Sequence, residues 1–256
     1  MNILAIGDVV GTQGCEFLRA HLPAIKKLNQ IDICIANGEN SAQGNGITPS
    51  SANYLLESGV DLITTGNHVF RRHEVYEYLN SSVPVIRPAN FHHTTPGKGF
   101  WIIDRGRFSV AVINLAGTVY MESASNPFDK VDEILNELKD IKNIIVDFHA
   151  EATAEKKALG FYLDGRVSAV FGTHTHVQTS DACILPKGTA YITDLGMTGP
   201  VHSVLGVEPS LAIEKLRTGM PVRFENPAGK VSMNACIFSI DEKTGKALSV
   251  EAITIE

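Results

Sequence analysis

The sequence predicts a mixed-sheet α/β fold, in which two sheets packed face to face with helices outside would accommodate the elements. Three observations predict it. Short apolar runs alternate with helix-spaced stretches through the first 90 residues. After residue 98 that alternation is interrupted by paired apolar runs of hairpin spacing, and such pairs return from about residue 182. The chain has 256 residues, 44% hydrophobic and 20% charged, which is enough apolar material for a substantial core and unlike a disordered chain.

Each element has its own signal. "NILAIG" is a short apolar run ending at Asp8, and residues 14–28 carry Phe17, Leu18, His21, Leu22 and Ile25 at helical spacing. "IDICIAN" predicts a second strand, followed by the Gly/Asn/Ser loop "GENSAQGNGITPS", in which Pro49 marks a helix start for "SSANYLLESG". "DLITTG" predicts a third strand, "RRHEVYEYLN" a third helix and "VPVIRPAN" a fourth strand. "GFWIID" and "RFSVAVINLAG", separated by Arg105-Gly106, predict a hairpin. "FDKVDEILNELKD" predicts a helix, "NIIVDFHAE" a strand, "TAEKKALGFYLDG" a helix with a glycine stop and "VSAVFG" another strand. The tail, "ACILPKGTAYITDLG" and "VSMNACIFSIDEKTGKALSVEAITIE", predicts antiparallel hairpins. No linker or repeat interrupts the chain, so residues 1–256 are expected to form a single domain.

Composition narrows the function classes. The opening "MNILAIGDVVGTQG" has no basic leader and is expected to be a strand rather than a signal peptide. No apolar run approaches the ~20 residues that span a bilayer. Cys15, Cys34, Cys183 and Cys236 form no C-x-x-C pair, which disfavours a thiolate zinc site and fits a reducing cytoplasm. The net charge of −6, without basic clusters, argues against long nucleic acid but allows a small phosphorylated substrate with a metal supplying positive charge.

Metal-ligand residue types gather where the apolar runs end. Asp8 follows the first run, Glu39 and Asn40 the second, and Asn67 and His68 the third; His149 lies in "NIIVDFHAE", and His174 and His176 follow "VSAVFG". In open α/β sheets ligands bind outside the carboxyl ends of strands. Taken singly, each residue has an ordinary reading: a turn-forming Asp, capping Asn and His, a solvated Glu-Asn loop, a satisfied strand-end His. The His-x-His pair is harder to dismiss, because residues two apart in an extended segment point the same way and could serve one ion or two.

In this order, "GD" (7–8), "GEN" (38–40), "GNH" (66–68), His149 and "GTHTH" (172–176) resemble the calcineurin-like metallophosphoesterase superfamily. "GEN", "TTGNHVF", "VIRPAN", "DFHAEATAEK", "GTHTHVQT" and "TDLGMTGP" are similar to one branch, the YmdB-type bacterial phosphodiesterases that open 2′,3′-cyclic nucleotides. Val10 stands where the superfamily usually has the His of Asp-x-His, and Glu39 where it has a bridging Asp; both departures are typical of this branch. An Asp often follows "MTGP" in the branch, near His202 here, and that loop is given no role.

The resemblance implies a four-layer α/β/β/α sandwich with two mixed sheets, covering nearly the whole chain. It implies two divalent or trivalent metal ions, iron or manganese, bridged by Glu39, with Asp8, Asn40 and His176 on one and Asn67, His149 and His174 on the other. Hard oxygens and imidazoles suit such ions. A hydroxide between the ions would attack phosphorus, and His68 would protonate the leaving ribose oxygen as general acid. Glu151 is a weaker candidate for orienting His149, and Thr173 and Thr175 are expected to face away. Asn45 and Gly46 are candidates for the pocket lining, Arg71 and Arg72 for a phosphate contact, and His92 and His93 are expected to be loop residues. The partner is then a small nucleotide phosphodiester. Competing readings are a phosphomonoesterase or nucleotidase on the same core, and a regulatory binding protein that keeps the fold. Exposed apolar edges in the tail point to self-association without fixing a number.

Overall fold

Apolar residues on both faces of the central strands determine the layering. In the computed structural model, which describes residues 1–122 and 124–256, β1 (Asn2–Ile6) sends Ile3 and Ala5 to one side and Leu4 and Ile6 to the other, all fully buried. The same double burial holds for β3 (Ile33–Asn37), so these strands read as continuous apolar runs rather than alternating ones.

The first sheet has seven strands in the order β2–β11–β12–β1–β3–β4, with β13 also paired to β12. Here β2 is Asp8–Val9, β4 Leu62–Thr64, β11 Met197–Pro200, β12 Val231–Ile240 and β13 Ala247–Ile255. β1, β3 and β4 run parallel, while β12 is antiparallel to β1, β11 and β13. The second sheet has six strands in the order β5–β6–β7–β8–β10–β9. They are β5 (Phe100–Asp104), β6 (Ser109–Ala116), β7 (Asn143–His149), β8 (Ala169–Thr173), β9 (Cys183–Ile184) and β10 (Ala190–Ile192). β6, β7, β8 and β10 are parallel, flanked by antiparallel β5 and β9.

Between the sheets lies one core, with Ile3, Ile33 and Phe238 of the first facing Val110, Ile145 and Phe171 of the second. Outside the first sheet, α1 (Gly11–Leu28), α2 (Pro49–Glu57) and α3 (Val75–Asn80) cover Leu4, Cys34 and Ile63 with Leu18, Leu22, Leu55 and Val75. Outside the second, α4 (Pro127–Glu137) and α5 (Thr153–Leu163) place Val131, Ile134, Leu159 and Leu163 against Ile113, Val146 and Phe148. The result is the four-layer α/β/β/α arrangement with two mixed sheets. Among the described residues no helix is long and apolar enough to cross a membrane.

Helix starts follow local chemistry. Pro49 occupies the first turn of α2, and Thr48 and Ser51 form a reciprocal capping box. Asn126 caps α4 ahead of Pro127 by accepting from the Phe128 amide.

Two expectations need correction. Residues 83–90 do not form a strand of either sheet; they make only isolated bridges, Ile63 with Val85 and Ile86 with Lys98. Pro84 and Pro88 have no N–H to donate, so a continuous ladder is unavailable there. The tail is not all hairpin: α6 (Pro209–Thr218) lies within it, opened by Pro209 and closed by Gly219 in the left-handed conformation, φ 69°.

Candidate metal centre

The carboxyl ends of strands from both sheets meet at one edge of the sandwich. From the first sheet come Asp8, which follows the end of β1 and opens β2, Glu39 and Asn40 after β3, and Asn67 and His68 after β4. From the second come His149 at the end of β7, and His174 and His176 just after β8. Close approach depends on glycine. A Cβ on Gly66 would lie 2.1 Å from the His149 ring, and one on Gly172 only 1.9 Å from the Thr193 carbonyl oxygen.

One group centres on His149. Its Nε2 lies 3.1 Å from Glu39 Oε1, 3.0 Å from Asn67 Oδ1 and 3.1 Å from His174 Nδ1. Glu39, His149 and His174 can each present a ligand atom, all within 4.8 Å of one another. A second group lies beside it. His176 Nε2 is 3.4 Å from Asn40 Nδ2 and 3.6 Å from Asp8 Oδ1. Asn40 Nδ2 donates to Glu39 Oε1 at 3.3 Å, which joins the groups; a half-turn of the amide would present its oxygen instead. His68 stands at the edge, its N–H donating to Glu39 Oε2 at 2.9 Å and its Nδ1 2.9 Å from Asn40 Oδ1. All the residues singled out for the site therefore come together.

The outer nitrogen of each central imidazole has an acceptor, which decides its tautomer. His176 Nδ1 donates to the Leu205 carbonyl at 3.0 Å, leaving Nε2 turned inward. His174 Nε2 pairs with Glu151 at 3.1 Å, leaving Nδ1 inward. His149 Nδ1 meets Thr173 Oγ1 at 2.9 Å, and that hydroxyl donates to Asp147 Oδ1 at 2.8 Å. Two expectations change here: Glu151 serves His174 rather than His149, and Thr173 is fully buried against His149 rather than facing away. Asn37 and Asp147, which the sequence did not single out, complete this support: the Asn37 amide donates to Asp147 at 3.3 Å and to Thr173 Oγ1 at 3.3 Å. Their signal was available, since both are polar residues inside otherwise apolar strands.

The His-x-His segment is not extended as expected. β8 ends at Thr173, and His174 and His176 adopt φ of 99° and 62°, the left-handed region that non-glycine residues rarely occupy. Such backbone costs roughly 1–3 kcal/mol per residue and needs support. Asp8 Oδ2 accepts from the His174 amide at 3.1 Å, and Asp194 Oδ2 from the Thr175 amide at 3.2 Å. Asp194 is itself held by buried Lys156 at 2.6 Å.

Electrostatics favour cations. Burial opposes ionisation of Asp8, but His176 outweighs it and holds the carboxyl well below its usual range. Glu39 is likewise lowered, His149 overcoming its burial. Burial disfavours a charged His176, yet Asp8 lifts it to about 9. Burial, reinforced by His149, pushes His174 down to about 4. Burial also lowers His68, with Glu39 opposing. The donor set fits metal ions on two further counts. Asp8 Oδ1 is buried with no hydrogen-bond partner. The inward nitrogens of His149 and His174 face each other at 3.1 Å, where two lone pairs repel unless a proton or a cation lies between them.

The centre opens into a cleft of about 450 Å³. His68, Glu151, His174 and His176 line it together with the apolar side chains of Val204, Leu205, Leu216 and Phe224. Asn45 lines it as expected; Gly46 does not and instead packs against Arg71 and Arg72. Arg71 pairs with Glu122, and Arg72 donates to the Asn45 and Gln43 carbonyls, so both have local partners.

Comparison with known proteins matches residues 4–253 to the family described as YmdB-like protein. The 2′,3′-cyclic-nucleotide 2′-phosphodiesterase of Bacillus subtilis is 46% identical over 256 residues, covering 100% of this chain and 97% of that protein. Among solved structures, a Thermus thermophilus protein described as hypothetical is 42% identical with a TM-score of 0.95, covering 100% of this chain and 99% of that one. A Mycoplasma pneumoniae protein described as a novel phosphatase is 35% identical with a TM-score of 0.94, covering 100% and 93%. The fold alone extends to the NAD nucleotidase of Haemophilus influenzae, at 15% identity and a TM-score of 0.63 over 99% of this chain and 55% of that one.

Proposed function

The chain belongs to the YmdB-like family, and from that premise we propose that it is a dimetal-dependent phosphodiesterase acting on 2′,3′-cyclic nucleotides. The observation that carries the reading is the meeting of Glu39, His149 and His174 from two sheets, with ligand atoms within 4.8 Å of one another, beside Asp8 Oδ1, a buried oxygen with no hydrogen bond. In this reading residues 1–256 act as one metallophosphoesterase domain in the cytoplasm, a location that agrees with four free cysteines.

Glu39 would be shared between the ions. Asp8, Asn40 and His176 would hold one, and Asn67, His149 and His174 the other, with iron or manganese suited to these donors. Such a pair of ions, when bound, supplies a nucleophilic hydroxide at neutral pH and positive charge for the phosphoryl oxygens. The chain's own groups do the rest. Leu205, Glu151 and the Thr173–Asp147 relay occupy the outer nitrogen of each imidazole, so the inner nitrogen is the one that would meet an ion, in His176 after its proton is displaced. His68 is held through Nδ1 by Asn40, which leaves Nε2 to deliver a proton to the departing ribose oxygen. The apolar side chains of the cleft exclude water and receive the nucleoside.

The test is metal analysis of untreated protein, paired with turnover of 2′,3′-cyclic nucleotides and of nucleoside monophosphates. About two ions per chain and preference for the cyclic diester are expected. Preference for the monoester would move the assignment to a phosphomonoesterase, the reading that the description of the Mycoplasma pneumoniae relative favours. Silent, metal-loaded protein would remove the enzyme reading.

A further inference from the structure

The "VIRPAN" segment takes no part in the metal centre, yet it builds a second pocket. Pro84 and Pro88 keep residues 83–90 out of the second sheet, and the segment instead crosses between β4 and the start of β5. Arg87 is anchored by its main-chain N–H, which donates to the Lys98 carbonyl at 2.9 Å. Its side chain is only 7% exposed. One guanidinium nitrogen, Nη1, donates to the Pro88 carbonyl at 2.9 Å, while Nε is buried with no partner. No carboxylate pairs with this guanidinium among the described residues, and burial lowers its pKa.

A desolvated cation without a counter-ion is unfavourable, and a guanidinium fork matches phosphate and carboxylate oxygens. Arg87 lines a pocket of about 560 Å³ between this segment, β5 and α4. Lys130 of α4, His92 and His93 share its rim, the two rings 4.3 Å apart, and no described lining residue is acidic. Lys130 divides its charge with Glu133 on the same helix, so Arg87 is the unshared cation. Phe91, Phe100 and Ile134 supply apolar surface. Its volume suits a mononucleotide-sized ligand, and the Arg87 fork with the Lys130 ammonium at the rim suits phosphate oxygens.

We infer that the Arg87 pocket is a second, metal-independent site for a small phosphomonoester with a flat apolar body, of the nucleoside monophosphate class. No residue assigned to the metal ions lines this pocket, although Phe91 and His92 also border a smaller pocket that reaches Asn67.

Isothermal titration with adenosine 5′-monophosphate tests it on the metal-loaded protein, on Arg87→Gln and on Glu39→Ala, the variant that disables the metal centre. A class of site that survives Glu39→Ala, is displaced by inorganic phosphate and weakens at least tenfold in Arg87→Gln is expected. Arg87→Gln should keep its metal and its turnover of a simple aryl phosphodiester within twofold. If Arg87→Gln does not fold, the rim variants Lys130→Ala and His93→Ala replace it, each expected to weaken the same class severalfold. Absence of binding in Glu39→Ala, or binding there that inorganic phosphate or these substitutions leave unchanged, would overturn the assignment.

Discussion

His68 and Gly66 show how single residues divide the work at the centre. His68 touches Glu39 through its backbone and Asn40 through Nδ1, so its ring can be removed without removing a ligand atom of the inner groups. His68→Ala is expected to lower turnover by ~10²–10⁴-fold with metal content retained, the range for loss of a positioned acid. Metal lost in proportion to activity would make His68 a ligand instead. Glu39→Ala should abolish both, since Glu39 approaches both groups. Gly66→Ala is a steric counterpart. Its new methyl would overlap the His149 ring at 2.1 Å, so the ring must move and metal content should fall without any donor being deleted. Near-normal metal content would show that the β4 turn yields more easily than this geometry implies. The residues that meet at the centre stand out in the sequence because they cluster at strand ends. Asn37 and Asp147 stand out only as polar residues within strands, and what they and Thr173 support depends on which strand faces which across the sandwich.

Elements that border the centre are fixed by side chains far from it in sequence. Asp181 accepts from Thr179 Oγ1 at 2.7 Å, from the Thr193 amide at 3.1 Å and from Thr193 Oγ1 at 2.6 Å, and pairs with Lys157 at 3.0 Å. It thereby ties the chain entering β9 to the end of β10, just before Asp194. Partial burial opposes ionisation, but the Thr193 and Thr179 bonds outweigh it and hold the carboxyl at about 2 instead of its usual 3.8. A carboxyl lowered on folding contributes stability that is complete above the unfolded value and is lost as pH falls through the folded one. The melting deficit of Asp181→Asn should therefore be full at pH 6 and shrink as pH drops from about 4 towards 2. A deficit constant with pH would assign Asp181 a packing role only. Periodicity located most of these elements, and the misses have local causes. Residues 83–90 look like a strand by composition, but their prolines cannot complete a ladder. α6 carries Pro209 and Gly219, ordinary start and stop signals, yet it lies between apolar runs that pair as hairpins, and so was absorbed into them.

The two sheets meet through an apolar core, but at the edge carrying the centre they meet through charge. Asp8, Glu39, Asn40 and Asn67 belong to the first sheet's side and His149, His174 and His176 to the second's. Ions bound there would clamp one sheet to the other, and the unfolded chain has no such arrangement to offer. A ligand at a hundred times its Kd stabilises the folded state by ~2.7 kcal/mol, so two such sites give about 5 kcal/mol. At roughly 2–4 °C per kcal/mol for a chain of this size class, chelation should lower the melting temperature by ~10 °C or more. The shift should be a displacement of the single cooperative transition, because the clamp joins both halves of the sandwich rather than one loop. Glu39→Ala, unable to hold the ions, should melt near the chelated value and respond little to chelator. A chelator-treated wild type that melts with the untreated protein would place the bound metal, if any, outside this inter-sheet edge, and the proposed dimetal reading would fail with it.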